Sequence, residues 1–277
     1  MTMFRPRRSA LYLPASNAKA IAKARILPCD VVILDLEDAV APDAKASARD
    51  QAVAAAIEGG FGARELVVRV NGLDTEWGEA DLSALKACRP NAILVPKVTR
   101  AADIDSYAAK VADETLLWAM IETTASLFCL DRIAGADRLA ALVMGTNDLA
   151  NEMGAQPGPE RLPFVGMLGL AVAAARLHGV AILDGVYNKI DDDAGFTAEA
   201  RQAVEFGFDG KTLIHPRQID LCNTAFRPDD VTVAWARQVI AAFDLPENAA
   251  KGAIRLAGRM VERLHLDHAH CVLAAAI

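Results

Sequence analysis

Short apolar runs rich in Val, Ile and Leu recur along the chain, each followed by a longer stretch in which apolar positions return every three or four residues. The short runs suit strands buried on both faces, whereas the longer spacing lays one apolar stripe along a helix. Eight runs stand out, at residues 10–13, 31–36, 66–70, 92–95, 116–121, 140–144, 180–183 and 212–214. The helical pattern fills 18–25, 45–58, 80–88, 102–112, 126–133, 164–178 and 197–206. This alternation predicts an α/β fold, a (β/α)8 TIM barrel over residues 1–225. Residues 151–163, with Gly154, Pro157, Gly158, Pro159 and Pro163, read as a long loop that shapes a site. Beyond the eighth strand, 231–243 reads as a helix, 246–258 as a connector and 259–276 as a final helix. Residues 226–277 are therefore expected to form a helical extension or lid, too short to sustain a core of its own.

Polar residues gather just after the strand runs: Asp35, Glu37 and Asp38; Arg69 and Asn71; Lys97; Glu122 and Thr123; Thr146, Asn147 and Asp148; Asp184; and His215. In a barrel those positions form the catalytic mouth. A doubly wound open sheet would also use carboxyl strand ends, but only at a crevice between two or three strands. Here nearly every strand end carries polar chemistry.

Composition narrows the possibilities. With 53% hydrophobic and 23% charged side chains, 277 residues bury a large core and are too apolar to be disordered. The 5% aromatic share suits helices on a parallel sheet better than a β-sandwich. Lys and Arg number 29 against 36 Asp and Glu, a net charge of −7, without the basic surplus a nucleic-acid binder needs. The five cysteines are scattered and contain no C-x-x-C pair, which disfavours a disulfide framework or thiolate zinc site and fits a reducing cytoplasm. The opening residues lack the features of an export signal, and the longest apolar run, 165–177, is too short for a membrane span.

Glu122 and Asp148 each follow an apolar strand run and would face one mouth from neighbouring strands. Two carboxylates completed by water and substrate oxygens suit Mg2+, a hard ion that keeps part of its hydration, and no His/Cys cluster competes for a softer metal. The competing reading is helix capping, by Asp148 or by Thr123 or Thr124. Arg69 is placed to clamp a carboxylate through paired hydrogen bonds, or to make a structural ion pair with Glu37 or Asp38. Three acids at one strand end, Asp35, Glu37 and Asp38, require a nearby cation, so Glu37 and Asp38 count among the candidate catalytic residues with Arg69. Lys97 occupies the place of an imine-forming nucleophile, against which the metal-type acids argue. His215 either binds a phosphate or pantetheine group or closes the barrel. His265, His268 and His270 put at most two imidazoles on one helical face and read as a solvated surface. No Gly-x-Ser-x-Gly elbow or Walker loop occurs.

Nine motifs in order then carry a resemblance. Arg-Ser-Ala-Leu-Tyr-Leu-Pro-Ala-Ser-Asn (8–17), Leu-Asp-Leu-Glu-Asp-Ala-Val (34–40), Lys-x-x-Ala-Arg (45–49), Val-Arg-Val-Asn-Gly (68–72) and Val-Pro-Lys (95–97) are followed by Ile-Glu-Thr (121–123), Asp-Leu-Ala (148–150), Asp-Gly-Val-Tyr (184–187) and Ile-His-Pro-x-Gln (214–218). Together they resemble the citrate lyase β-subunit-like family of the HpcH/HpaI aldolase superfamily. The resemblance implies a barrel, trimeric or hexameric, that uses Mg2+ to make or break a carbon–carbon bond in a 3-hydroxyacyl thioester such as malyl-CoA, citramalyl-CoA or a citryl thioester. It implies Glu122 and Asp148 as metal ligands and Arg69 as the clamp for a 2-oxo acid, with Asn17, Lys19, Lys45 and His215 in segments lining the thioester site. The C-terminal segment of such lyases and synthases supplies an acid/base Asp in Met-Ile-Asp to a neighbouring subunit. Here that stretch reads Met260-Val261-Glu262, which assigns the role to Glu262 with one extra methylene.

The expected reaction is a retro-Claisen or aldol-type cleavage to a 2-oxo acid and an acyl thioester. The alternatives are a Mg2+-dependent thioesterase, a malate synthase-like condensation, an imine aldolase through Lys97, or a subunit of a larger lyase complex that works on a carrier-bound thioester.

Overall fold

In the computed structural model, residues 5–248 and 250–276 are described. The chain divides into two compact units, Arg7–Phe226 and a smaller one made of residues 5–6 with 227–276. The larger unit is a closed barrel of eight parallel strands in sequential order. The strands are β1 (Ser9–Pro14), β2 (Val31–Asp35), β3 (Glu65–Arg69), β4 (Ala92–Val95), β5 (Leu116–Ile121), β6 (Leu139–Met144), β7 (Ala181–Asp184) and β8 (Gly210–Leu213). Outside them run α1 (Ala18–Ala24), α2 (Lys45–Glu58), α3 (Gly78–Cys88), α4 (Ala101–Ala108), α5 (Thr124–Leu127), α6 (Leu130–Ala134), α7 (Thr146–Met153), α8 (Val165–His178), α9 (Asp193–Phe206) and α10 (Gln218–Phe226).

Strand residues alternate between two cores because successive side chains point to opposite faces. Inward positions such as Ile33, Val67, Leu94, Trp118, Met120 and Val143 fill the barrel. Outward positions such as Val32, Leu34, Val68, Ile93 and Leu142 pack under the helices. Closure is made by β1 on β8, with Leu11 opposite Leu213. Gly210 permits this, since a Cβ there would overlap the carbonyl oxygens of Arg7 and Arg8.

The structure departs from the sequence reading at four places. The stretch 126–133 is split into α5 and α6, and the long loop begins only after α7, which ends at Gly154 in the left-handed conformation. A further helix, α10, follows His215-Pro216. In the smaller unit, α11 (Asp230–Phe243) and α12 (Arg263–Ala275) flank an antiparallel hairpin, β9 (Ala253–Leu256) with β10 (Arg259–Glu262). The two turn residues Ala257 and Gly258 both have positive φ, at 45° and 81°. That geometry matches the right-handed twist of a tight hairpin, so 259–262 pair as a strand instead of starting the last helix. Among the described residues, no helix is long and apolar enough to cross a membrane.

Candidate active site

Glu122 follows β5 and is 1% exposed. Its Oε1 accepts the Lys97 N–H at 2.8 Å, while Oε2 is buried without a hydrogen-bond partner. Thr123 performs the capping instead, its Oγ1 accepting the Ser126 N–H at 3.1 Å. Gly145 packs against Glu122 so closely that a Cβ would strike the Glu122 side chain. Burial raises the Glu122 carboxyl above its ordinary pKa, against the Lys97 N–H and the Lys97 and Arg69 charges, and the neighbouring Asp148 charge adds to the rise.

Asp148 lies in the first turn of α7, whose N-cap is Gly145. The Lys97 ammonium hydrogen-bonds to Asp148 Oδ1 and stands 3.8 Å from Glu122 Oε1. One cation is therefore shared by both carboxylates, which places the acids on one charge centre. Burial works against the Lys97 charge, but the Asp148 hydrogen bond and the Glu122 charge outweigh it and raise its pKa.

Arg69, the last residue of β3, faces Asp35 at the end of β2 in register. Its Nε and Nη2 lie 2.7 and 2.6 Å from the two Asp35 oxygens. The fork expected to clamp a ligand is thus committed to Asp35, and the Nη1 edge remains. Nη1 stands 2.8 Å from Glu37 Oε2 and 3.4 Å from Asp38 Oδ2. The Glu37 contact is an ion pair off the line of the N–H, so that buried Oε2 makes no hydrogen bond. Burial pushes the Glu37 carboxyl up to about 8, with Arg69 opposing and the Glu122, Asp38 and Asp35 charges adding to the rise. Arg69 also lies over the Tyr12 ring at 5.1 Å.

The structure therefore gathers Arg69, Glu37, Asp38, Glu122 and Asp148 on the C-terminal rim, with Lys97 between the last two. Asn17 follows β1 and caps α1, Oδ1 accepting the Ala20 N–H at 3.0 Å, and Lys19 is exposed in the first turn of that helix. His215 follows β8, its Nδ1 accepting the Arg217 N–H at 3.2 Å. Lys45 is buried, its ammonium on the Leu36 and Glu37 carbonyl oxygens. Glu262 belongs to the smaller unit, where its N–H donates to His265 Nδ1 at 2.9 Å, and the three histidines of α12 are exposed. Sequence reasoning named Asp35 among the acids that need a cation but not among the catalytic candidates, and left Tyr12 out. Both were accessible to strand parity, since Asp35 continues the inward series of Val31 and Ile33, and Tyr12 that of Ala10.

Among the described residues, no three His, Cys, Asp or Glu side chains form a preformed metal cage. Two carboxylates that share one cation, one of them with an unpartnered buried oxygen, fit a hard ion whose other positions go to water and substrate.

A parallel barrel with an acid pair at its mouth defines an enzyme scaffold of the cation-assisted kind. The chain belongs to the HpcH/HpaI aldolase/citrate lyase family, whose model matches residues 8–216. It is 47% identical to a (3S)-malyl-CoA thioesterase of Cereibacter sphaeroides, over 98% of this chain and 95% of that one. Against an L-malyl-CoA/beta-methylmalyl-CoA lyase of the same species the identity is 34%, over 98% and 95%. The Mycobacterium tuberculosis protein CitE, solved with magnesium, acetoacetate and coenzyme A, superposes with a TM-score of 0.79 at 32% identity, covering 98% of each chain.

Proposed function

We propose that the protein hydrolyses a CoA thioester of a short 3-hydroxy dicarboxylic acid, with (3S)-malyl-CoA as the leading substrate. The observation that carries this reading is Glu37, a half-buried carboxylate beside Arg69 at the mouth, whose Oε2 accepts no hydrogen bond and whose pKa burial pushes up to about 8. A base poised near the working pH is what water activation requires. The near-full-length likeness to a (3S)-malyl-CoA thioesterase supports it.

In this reading Glu122 and Asp148 hold Mg2+, which when bound supplies Lewis-acid polarisation of the substrate oxygens. The Arg69 charge attracts the substrate's free carboxylate, while Asp35 keeps the guanidinium plane fixed and Nη1 keeps Glu37 beside it. Glu37 accepts a proton from water as its oxygen adds to the thioester carbonyl, with Asp38 as a neighbouring charge that sustains its basicity. Glu37 then returns the proton to sulfur as the C–S bond breaks, leaving malate, CoA and the original carboxylate. Asn17, Lys19 and His215 are assigned to the CoA arm. The working form is proposed to be a cytoplasmic homotrimer or hexamer, checked by light scattering.

A second reading is carbon–carbon cleavage, favoured by the likeness to the malyl-CoA lyase. Glu262 of a neighbouring copy would then protonate the thioester enolate as the 2-oxo acid leaves. Incubation with (3S)-malyl-CoA and Mg2+ separates the two. Free thiol and malate without glyoxylate, abolished by EDTA, is the expected result. Glyoxylate and acetyl-CoA without free thiol would replace hydrolysis by the lyase reading.

A further inference from the structure

Lys45 opens α2 just after the acidic turn and is 6% exposed. Its ammonium donates to Leu36 O and Glu37 O, both at 2.7 Å. The Trp77 ring lies 5.2 Å from Nζ. Leu36 O is gripped a second time, by Asn71 Nδ2 at 3.0 Å. Asn71 is itself held through Nδ2 by Asp81 Oδ2 at 2.7 Å, and the other Asp81 oxygen accepts Arg49 Nε at 2.7 Å.

An ammonium carries three N–H donors, and two of these are spent on main-chain oxygens beneath the residues that bear the site's acids. A cation at that point also offsets the charges of Asp35, Glu37, Asp38 and Asp81, which all act on it. A lysine that binds coenzyme phosphates must instead present its ammonium to solvent, as a flexible point charge. The resemblance placed Lys45 in a segment lining the thioester site, where such an exposed ammonium would be needed.

We propose that Lys45 is a positioning residue, fixing the Leu36-Glu37-Asp38 turn so that the Glu37 carboxylate stays against Arg69, and not a ligand of the coenzyme phosphates. Its kinetic consequence rests on the hydrolase reading, but its structural one does not.

The test is Lys45→Met in the full-length protein. The expected result is a kcat on (3S)-malyl-CoA lower by roughly ten- to a hundredfold, as for a misplacement of about 1 Å, with KM changed less than about twofold. Affinity for free CoA by calorimetry should stay within about twofold of wild type, whereas a phosphate-binding ammonium contributes a charge-assisted hydrogen bond. A crystal structure of the variant should show Glu37 withdrawn from Arg69. A tenfold loss of CoA affinity, or a Glu37 that has not moved, overturns the proposal. Should Lys45→Met fail to fold, Lys45→Gln removes the charge while keeping a polar donor and is read by the same three measurements. If the wild-type protein does not hydrolyse malyl-CoA, the hydrolase reading falls, while CoA affinity and the place of Glu37 still decide the role of Lys45.

Discussion

Lys97 has a backbone φ of 50°, in the region that side-chain-bearing residues seldom adopt. Its N–H donates to Glu122 and its ammonium to Asp148. With its charge stabilised by both acids, Lys97 is a poor imine former, and borohydride with pyruvate should trap no adduct by mass spectrometry. Glu122→Gln keeps an oxygen for the Lys97 N–H but removes a charge from the cation pair. It should lower kcat by about a hundredfold or more, and it should abolish the rise in melting temperature on adding Mg2+, worth about 2.7 kcal/mol for wild type at 100 times Kd. Glu37 gives a pH signature in metal-free protein. Its folded pKa, about 8, lies above the unfolded value of about 4.3, so the folded state holds a proton that the unfolded state releases. That contribution to stability is complete below about 4.3 and is lost as pH rises to about 8. Urea midpoints of wild type should therefore carry a falling component over that window, absent in Glu37→Gln.

The ends of β7 and β8 are joined by buried charge. Asp184 accepts from Arg161 and Lys211, each at 2.8 Å, and Lys211 also donates to Glu199 at 2.6 Å. Burial raises the Asp184 carboxyl, but the two cations outweigh it and hold its pKa below the ordinary carboxylate range. The stability it contributes is present above that ordinary range and disappears as pH falls through the lowered value. Asp184→Asn removes the buried charge shared by Arg161 and Lys211, leaving Lys211 only Glu199 as a carboxylate partner among the described residues, and should cost about 3–5 kcal/mol at neutral pH, with a shallower acid limb in urea denaturation. This cluster also shows what periodicity can and cannot tell. The eight barrel strands were legible because parallel strands buried on both faces are continuous apolar runs, and Glu122, Asp148 and Arg69 because polar residues mark their ends. Asp184 shares the outward parity of Ile182, on the helix side of the wall, and its partners Arg161, Glu199 and Lys211 lie too far apart in sequence for any local pattern to join them. The hairpin before α12 was hidden because Arg259–Glu262 mixes charged and apolar residues without a helical break, and the turn depends on two backbone angles. Lys45 was recognised as a residue but not by its role, since its partners are main-chain oxygens.

The barrel exists only when its first strand meets its last, a union that depends on Gly210 beneath the Arg7 and Arg8 carbonyls. Gly210→Ala should cost about 1–3 kcal/mol by wedging that seam, read as a lower urea midpoint. The same seam sets a schedule for synthesis. β1 emerges from the ribosome before every other strand of the barrel, yet one of its edges lacks a partner until β8, some two hundred residues later, has been made. At about 5–20 residues per second, that interval lasts roughly ten to forty seconds. Nascent chains halted before Gly210 should thus carry two open sheet edges and be the species that chaperones hold and proteases cut, while a chain only slightly longer can seal itself.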